Sequence, residues 1–236
     1  MIDFHMHVLP GIDDGSKTVT SSLQMLEASA AHVDTVAATS HFYAEENSLS
    51  EFLTQRAEAY ERLSQALEDR EDLPQILLGA EVRFFRGVSA MEDLEQLCLE
   101  GTNLLLLEMP FVRWTDHMLQ EVEAIGRRGL QPVAAHIERY LSIQPRKTMD
   151  VFWDLDVLIQ CNASFFLSRW TARRALAMFR KGMIHFLGSD AHNMSSRPPN
   201  YGQALEVIEK KLGQEALDRL EANEEFFVSE SDGMVE

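Results

Sequence analysis

Seven short apolar runs alternate with segments of helical periodicity along this chain. The runs are "MIDFHMHVL", "TVAATSH", "QILLGAEV", "NLLLLEM", "QPVAAHIERY", "VLIQCNAS" and "MIHFLGSDAH". Between them lie "SSLQMLEASAAHV", "SLSEFLTQRAEAYERLSQALED", "SAMEDLEQLCLE", "DHMLQEVEAIGRRG", a short stretch around "KTMDVFW", and "TARRALAMFRKG". Two further helical stretches, 201–212 and 214–222, close the pattern. Strands separated by helices predict a parallel sheet with right-handed crossovers. Continuous apolar character suits strands buried on both faces. An open doubly wound sheet and a closed β/α barrel both satisfy this pattern.

Other features bound the answer. No linker or repeat divides the 236 residues, so a single domain over 1–236 is expected. The tail "SESDGMVE" reads as a solvated terminus. No apolar run approaches the roughly 20 residues of a membrane helix, and the first residues lack a signal-peptide pattern. Cys98 and Cys161 are the two cysteines, too few for a disulfide framework. A cytoplasmic protein that is not integral to a membrane is the expectation. The net charge of −17 argues against nucleic acid and anionic lipid as partners. A small anionic group remains compatible if cations gather where it binds.

Chemistry gathers at the ends of the runs. In a strand over 2–8, Asp3, His5 and His7 would share one face and Ile2, Phe4, Met6 and Val8 the other. The later runs end in His41, Glu81, Glu108, His136, Asn162, and Asp190 with His192. One polar residue at a strand end marks only the start of a loop. Ligand-type residues at nearly every strand end point to convergence on one rim, where β/α barrels build their sites. This favours a closed or nearly closed barrel and a metal site. His32, His117 and His185 stand apart and read as surface or satisfied histidines.

The motif series "DFHMH", "IDDG", "TSH", "GAEV", "AHIERY" and "GSDAH" resembles the PHP (polymerase and histidinol phosphatase) superfamily. "LLLLEMP", "AHIERY" and "SDAHN" followed by "RPPN" narrow the resemblance to the manganese-dependent bacterial protein-tyrosine phosphatases of capsule and exopolysaccharide synthesis, the CpsB-like family. The resemblance runs from Met1 to about Leu220. It implies a TIM-barrel-like fold, a distorted (β/α)7 barrel, carrying three metal ions. His5, His7, Glu81 and Asp190 would hold the first. Glu81 would bridge to a second, shared with Glu108 and His136, and Asp14, His41 and His192 would hold the third. Asp13 reads as a turn-former and Asp3 as a residue that supports the ligands. The family implies Mn²⁺, and ligand type also suits Fe²⁺ or Zn²⁺. The implied partner is a phosphotyrosine protein, the tyrosine-rich tail of a bacterial tyrosine kinase.

A metal-activated water could attack phosphorus in line, with no protein nucleophile. Neither cysteine opens a Cys-x5-Arg loop: "LEGTNL" follows Cys98 and "NASFFL" follows Cys161. A thiolate mechanism is not expected. Arg83, Arg86, Arg113, Arg139, Arg169 and Arg197 all follow strand ends, which would gather cations on the rim of an acidic protein. The resemblance singles out Arg139 and Arg197 as contacts to the substrate phosphate, and guanidinium suits that role. Arg83 and Arg86 read equally well as surface residues, and the loop after His41 has no assigned role. The alternative function is a small-molecule phosphatase such as a histidinol-phosphate phosphatase. A catalytically silent binding module is the third, and the complete ligand series argues against it.

Overall fold

The computed structural model describes residues 1–229. The acidic tail, from Glu230 onward, lies outside the described residues.

The seven runs form nine strand segments: β1 (Ile2–Met6), β2 (Thr35–Ala38), β3 (His41–Phe42), β4 (Gln75–Leu78), β5 (Glu81–Arg83), β6 (Leu104–Glu108), β7 (Gln131–Ala134), β8 (Leu158–Asn162) and β9 (Phe186–Gly188). The paired strands run parallel, in the orders β1-β2-β4 and β3-β5-β6-β7-β8-β9. The count rises because the second and third runs each break in the middle. Gly79 N still donates to Ala38 O (3.1 Å) and Glu81 N to Ser40 O (3.0 Å), so the two runs bend together. At the far edge Met6 bridges Ala191 in parallel. There His7 N donates to Ala191 O at 2.9 Å and Asp190 N to His5 O at 2.7 Å. The parallel sheet therefore curls until its last run lies beside its first.

Helices cover the outer face: α1 (Val19–Ser29), α2 (Leu49–Leu67), α3 (Asp116–Arg127), α4 (Arg146–Trp153), α5 (Ser164–Leu167), α6 (Ala172–Arg180), α7 (Tyr201–Leu212) and α8 (Gln214–Ser229). Their starts are encoded locally. Thr18 and Thr115 accept from the first turns of α1 and α3, and Ser48 with Glu51 forms a capping box on α2. One expected helix is absent. Residues 89–100 form two short 3-10 turns, Val88–Ala90 and Leu94–Leu97, because Asp93 sits at φ 54° and interrupts an i→i−4 ladder.

Two apolar clusters sit on opposite faces of the sheet. The larger holds Leu105, Leu107, Ala134 and Ile159 together with the helix faces. The smaller holds the alternating residues Leu104, Leu106, Val133 and Leu158 with Ala37 and Phe186. β1 departs from simple alternation. Phe4 lies in the smaller cluster, stacked on Phe186 at 3.9 Å, while Met6 and Val8 lie in the larger. The pairing register with β2 shifts between Asp3 and Met6. This irregularity corrects the expected face with Ile2, Phe4, Met6 and Val8 together. It lets an apolar floor and the two imidazoles of β1 occupy the same interior.

Candidate metal centre

The nine ligand-type residues expected from the sequence form one connected cluster at the C-terminal ends of the strands. His5 Nε2 and His7 Nε2 lie 3.1 Å apart. Glu81 Oε2 stands 3.2 Å from the first and 3.3 Å from the second. Glu81 also reaches His41 Nδ1 at 2.9 Å and, through Oε1, His136 Nε2 at 2.8 Å. Glu108 Oε1 is 3.4 Å from the same His136 nitrogen. Asp14 Oδ1 lies between His41 Nε2 (3.3 Å) and His192 Nε2 (3.2 Å). Asp190 Oδ1 is 3.7 Å from His5 Nε2 and 3.6 Å from His7 Nε2.

Among the described residues, donor atoms lie within 4.8 Å of one another in the sets His7, Asp14, His41 and His192; His5, His7 and Glu81; and His41, Glu81 and Glu108. His41 and His7 are thus shared between sets in this structure. Asp190 Oδ1 stands within 3.7 Å of His5 Nε2 and His7 Nε2, and Arg139 and Arg197 hold the same carboxylate. Arg139 Nη2 contacts Asp190 Oδ2, and Arg197 Nη2 lies 2.5 Å from Asp190 Oδ1. Asn162 Nδ2 adds a bond to Oδ2 at 2.8 Å.

Local backbone holds these groups at a cost. His136 and Asp190 take φ values of 32° and 53°, left-handed conformations rare for residues other than glycine. Gly188 lets β9 approach β1, since a Cβ there would stand 2.5 Å from His5 Cβ. Gly15 does the same for the first loop, where a Cβ would meet His7 Cβ at 2.3 Å.

The cluster fits a cation. His5, His7, Glu81, His136 and His192 are buried. Buried His192 Nε2 and His41 Nδ1 lack hydrogen-bond partners, although carboxylate oxygens lie 3.2 and 2.9 Å away. Nitrogens and carboxylates that face one another out of hydrogen-bond alignment are satisfied by a positive ion between them. Imidazole and carboxylate without thiolate also match a divalent transition metal. Without one, protons do the balancing. Burial works to lower the His7 imidazole, yet Asp13 and Glu81 hold it up at about 10. Burial likewise opposes charge on His136, and Glu108 and Glu81 raise it to about 9. Glu81 is driven well below the carboxylate range, against its burial, by the charge of His5 and the bonds from His136 and His41. His192 moves the other way, to about 4, through burial and the positive charges of His7 and Arg197.

Several supporting residues carried little or no signal in the sequence. Gln160, a lone amide in an apolar run, accepts from His136 N at 2.6 Å and contacts His5 Nδ1 at 3.3 Å. Asp13 forms more than a turn: Oδ2 meets His7 Nδ1 at 2.8 Å and accepts from His41 N at 3.0 Å. Asp3 accepts from Ser189 N at 2.7 Å and from His5 N at 3.3 Å, clamping β9 to β1. Burial raises that carboxyl to about 6. Two rings flank the centre. Tyr43 stacks on His41 at 5.0 Å, and exposed Phe111 lies 6.5 Å from the His136 ring. His32, His117 and His185 lie outside the cluster. Among them His185 Nδ1 accepts from Ile159 N at 3.0 Å. Cys98 and Cys161 are buried, and burial pushes the Cys98 thiol up to about 12 and Cys161 higher than its usual range.

Comparison with known proteins gives a consistent set of relatives. The family model for capsular polysaccharide synthesis, CpsB/CapC, matches residues 1–226. The tyrosine-protein phosphatase CpsB of Streptococcus agalactiae serotype III (strain NEM316) is 29% identical over 235 residues, covering 93% of this chain and 94% of the relative. The tyrosine-protein phosphatase YwqE of Bacillus subtilis (strain 168) is 30% identical over 249 residues, covering 97% and 91%. A solved chain, from work on YwqE of Bacillus subtilis and CpsB of Streptococcus pneumoniae described as unique metal-dependent tyrosine phosphatases, superposes with a TM-score of 0.81. It is 27% identical and covers 97% of this chain and 94% of its own.

Proposed function

Because this chain belongs to the CpsB/CapC family of capsular polysaccharide synthesis, we propose that it is a metal-dependent tyrosine-protein phosphatase. The observation that carries this reading is the cluster of five imidazoles, four of them buried, with Asp14, Glu81, Glu108 and Asp190 at one rim of the sheet. Relatives named tyrosine-protein phosphatase at similar identity across nearly the whole chain support it.

The finer assignments are also ours. The curled sheet is taken as the distorted (β/α)7 barrel of the PHP superfamily, with 1–236 as one domain. His5, His7, Asp14, His41, Glu81, Glu108, His136, Asp190 and His192 would hold the metals, with manganese as the physiological ion. The partner would be a bacterial tyrosine kinase phosphorylated on its tyrosine-rich tail, met in the cytoplasm. No helix among the described residues is long and apolar enough to cross a membrane.

When bound, the metals supply Lewis-acid charge and activate water. The chain does the rest. Arg139 and Arg197 each offer a fork for two phosphoryl oxygens at the mouth, where both now rest on Asp190. Their positive charge stabilises the anion that builds up as the ester bond breaks. Asp13 and Gln160 fix the His7 and His5 rings. Burial of His5, His7, His136 and His192 keeps bulk water from those imidazoles. No thiol takes part.

The test compares substrates. Protein stripped by chelator and reconstituted with Mn²⁺ is assayed on a phosphotyrosine peptide and on histidinol phosphate. We expect chelation to abolish turnover, Mn²⁺ to restore it, and the peptide to be the better substrate. Full activity in excess chelator, or much faster turnover of histidinol phosphate, would overturn the proposal.

A further inference from the structure

Among the described residues, the exposed Phe and Trp side chains are Phe111, Trp170 and Phe226. Trp170 lies under the Arg169 guanidinium at 4.4 Å, and Phe226 packs edge-on against Phe227 at 5.0 Å. Phe111 differs, because its ring lies at the metal centre. It stands three residues beyond Glu108, its ring is 6.5 Å from that of His136 with 27° between the planes, and 53% of it is exposed. The loop that carries it is fixed by four hydrogen bonds. Pro110 O accepts from Val112 N at 2.8 Å and from Trp114 Nε1 at 3.1 Å. The buried Gln144 amide donates to Val112 O at 2.7 Å and accepts from Trp114 N at 2.8 Å. The Phe111 ring also rests on buried Tyr140 at 5.4 Å, which packs on buried Trp114 at 5.1 Å. A phenyl ring half in water gives the fold only part of the burial energy it could supply. A ring held out in this way on a fixed loop beside the centre is preorganised for a ligand. Tyr43, the other ring beside the centre, is already engaged by the His41 ring at 5.0 Å and the Arg83 guanidinium at 5.3 Å.

We propose that Phe111 is a specificity-determining residue, whose exposed ring takes the aromatic ring of the phosphotyrosine while the phosphoryl group lies at the metal centre with Arg139 and Arg197. This rests on the tyrosine-phosphatase reading above. In phosphotyrosine the ester oxygen is bonded to the ring itself, so a phosphoryl group at the centre carries that ring to the mouth, where Phe111 stands. Offset or edge-to-face packing of the two rings then removes apolar surface of both from water. Phosphoserine and phosphothreonine bring no ring and leave Phe111 in water. The contact is the same before and during cleavage of the ester, so it acts on KM more than on kcat.

The test compares Mn²⁺-loaded wild type with Phe111→Ala, Phe111→Leu and Phe111→Trp. Phe111→Ala should raise KM for a phosphotyrosine peptide and for free phosphotyrosine about three- to thirtyfold, with kcat little changed. Binding is read separately with two inhibitors, phenylphosphonate and methylphosphonate, which differ in the ring. Phe111→Ala should weaken phenylphosphonate by the same factor and leave methylphosphonate bound as in wild type, which excludes misfolding as the cause of the loss. Phe111→Trp should keep the preference for the phenyl compound. Phe111→Leu should keep only part of it, since it retains apolar area and loses the ring. An unchanged KM in Phe111→Ala, or equal weakening of the two phosphonates, overturns the inference while leaving the phosphatase reading intact. A loss confined to phosphorylated polypeptides, with both phosphonates unaffected, also overturns it and makes Phe111 a contact for the polypeptide rather than for the ring. No turnover of any phosphotyrosine substrate by the metal-loaded wild type would instead refute the reading on which the inference rests.

Discussion

Asp190 is the residue on which the most contacts depend. Two guanidiniums and the Asn162 amide hold its two oxygens, and its backbone sits in the left-handed region. Because Asn162 and the remaining guanidinium still hold Asp190, Arg139→Ala or Arg197→Ala should leave bound metal near the wild-type level. Each should lower kcat/KM on a phosphotyrosine peptide ten- to hundredfold, the equivalent of roughly 1.5–3 kcal/mol for a charged hydrogen bond. Lysine should restore only part, since it keeps the charge and loses the fork. Wild-type turnover by both alanine variants would show that the arginines do not grip the substrate. Asp13 makes a different prediction. Its bond to His7 Nδ1 turns Nε2 toward Glu81. Asp13→Asn keeps the shape and removes the charge that orients the ring. Metal affinity, read by competition with a chelator, should fall about ten- to hundredfold, and an unchanged affinity would reduce Asp13 to a turn residue.

At the level of elements, the seam between β1 and the C-terminal helix carries a pH-sensitive contact. Glu224 on α8 accepts from Ile2 N at 2.8 Å and from the Tyr201 hydroxyl at 3.0 Å. Burial raises this carboxyl from 4.5 to about 7. A raised carboxyl binds its proton more tightly in the folded state than in the unfolded chain. Its contribution to stability is therefore full below pH 4.5 and is lost as pH climbs through 7. The amount is about 3 kcal/mol, at 1.36 kcal/mol per unit. Urea midpoints of wild type and Glu224→Gln across this range isolate the group from the other carboxylates. The difference between the two proteins should change with pH in that window, and a constant difference would mean that Glu224 stays ionised. The helix caps at Thr18, Ser48 and Thr115 need no such long-range partner, and their signals are all within four residues.

For the molecule as a whole, a bound metal would compete with protons for one cluster. His7 and His136, held at about 10 and 9, are protonated at neutral pH when no metal is bound. Metal binding must release those protons. Apparent affinity should therefore rise steadily with pH between about 6 and 8. Calorimetry in buffers of different ionisation enthalpy should show net proton release, and a pH-independent affinity would contradict the buried, proton-bridged arrangement. Charge is distributed on the same scale. An excess of 17 negative charges surrounds a rim where Arg139 and Arg197 meet at Asp190. Substrate anions are thus repelled everywhere except where they react.

The sequence by itself determined the alternation of strand and helix, the parallel sheet and the chemistry of the strand ends. These properties are local: a two- or 3.6-residue period, a capping residue, an imidazole beside a carboxylate. His5, Glu81 and His136 were legible because strand ends of a parallel α/β chain face the same side. Resemblance to a known family supplied the tyrosine-phosphatase expectation and the grouping of ligands. Only the tertiary structure decided how the pieces meet. It broke two runs into four strands, turned 89–100 into 3-10 segments, and shifted the register of β1 so that Phe4 and the imidazoles both face inward. It also gave Gln160 and Asp13 their partners and set two arginines on Asp190 beside His5 and His7. The reason is physical. Most of those outcomes rest on packing and backbone bonding between residues far apart in the chain, such as the contact that brings β9 against β1, which no local period encodes.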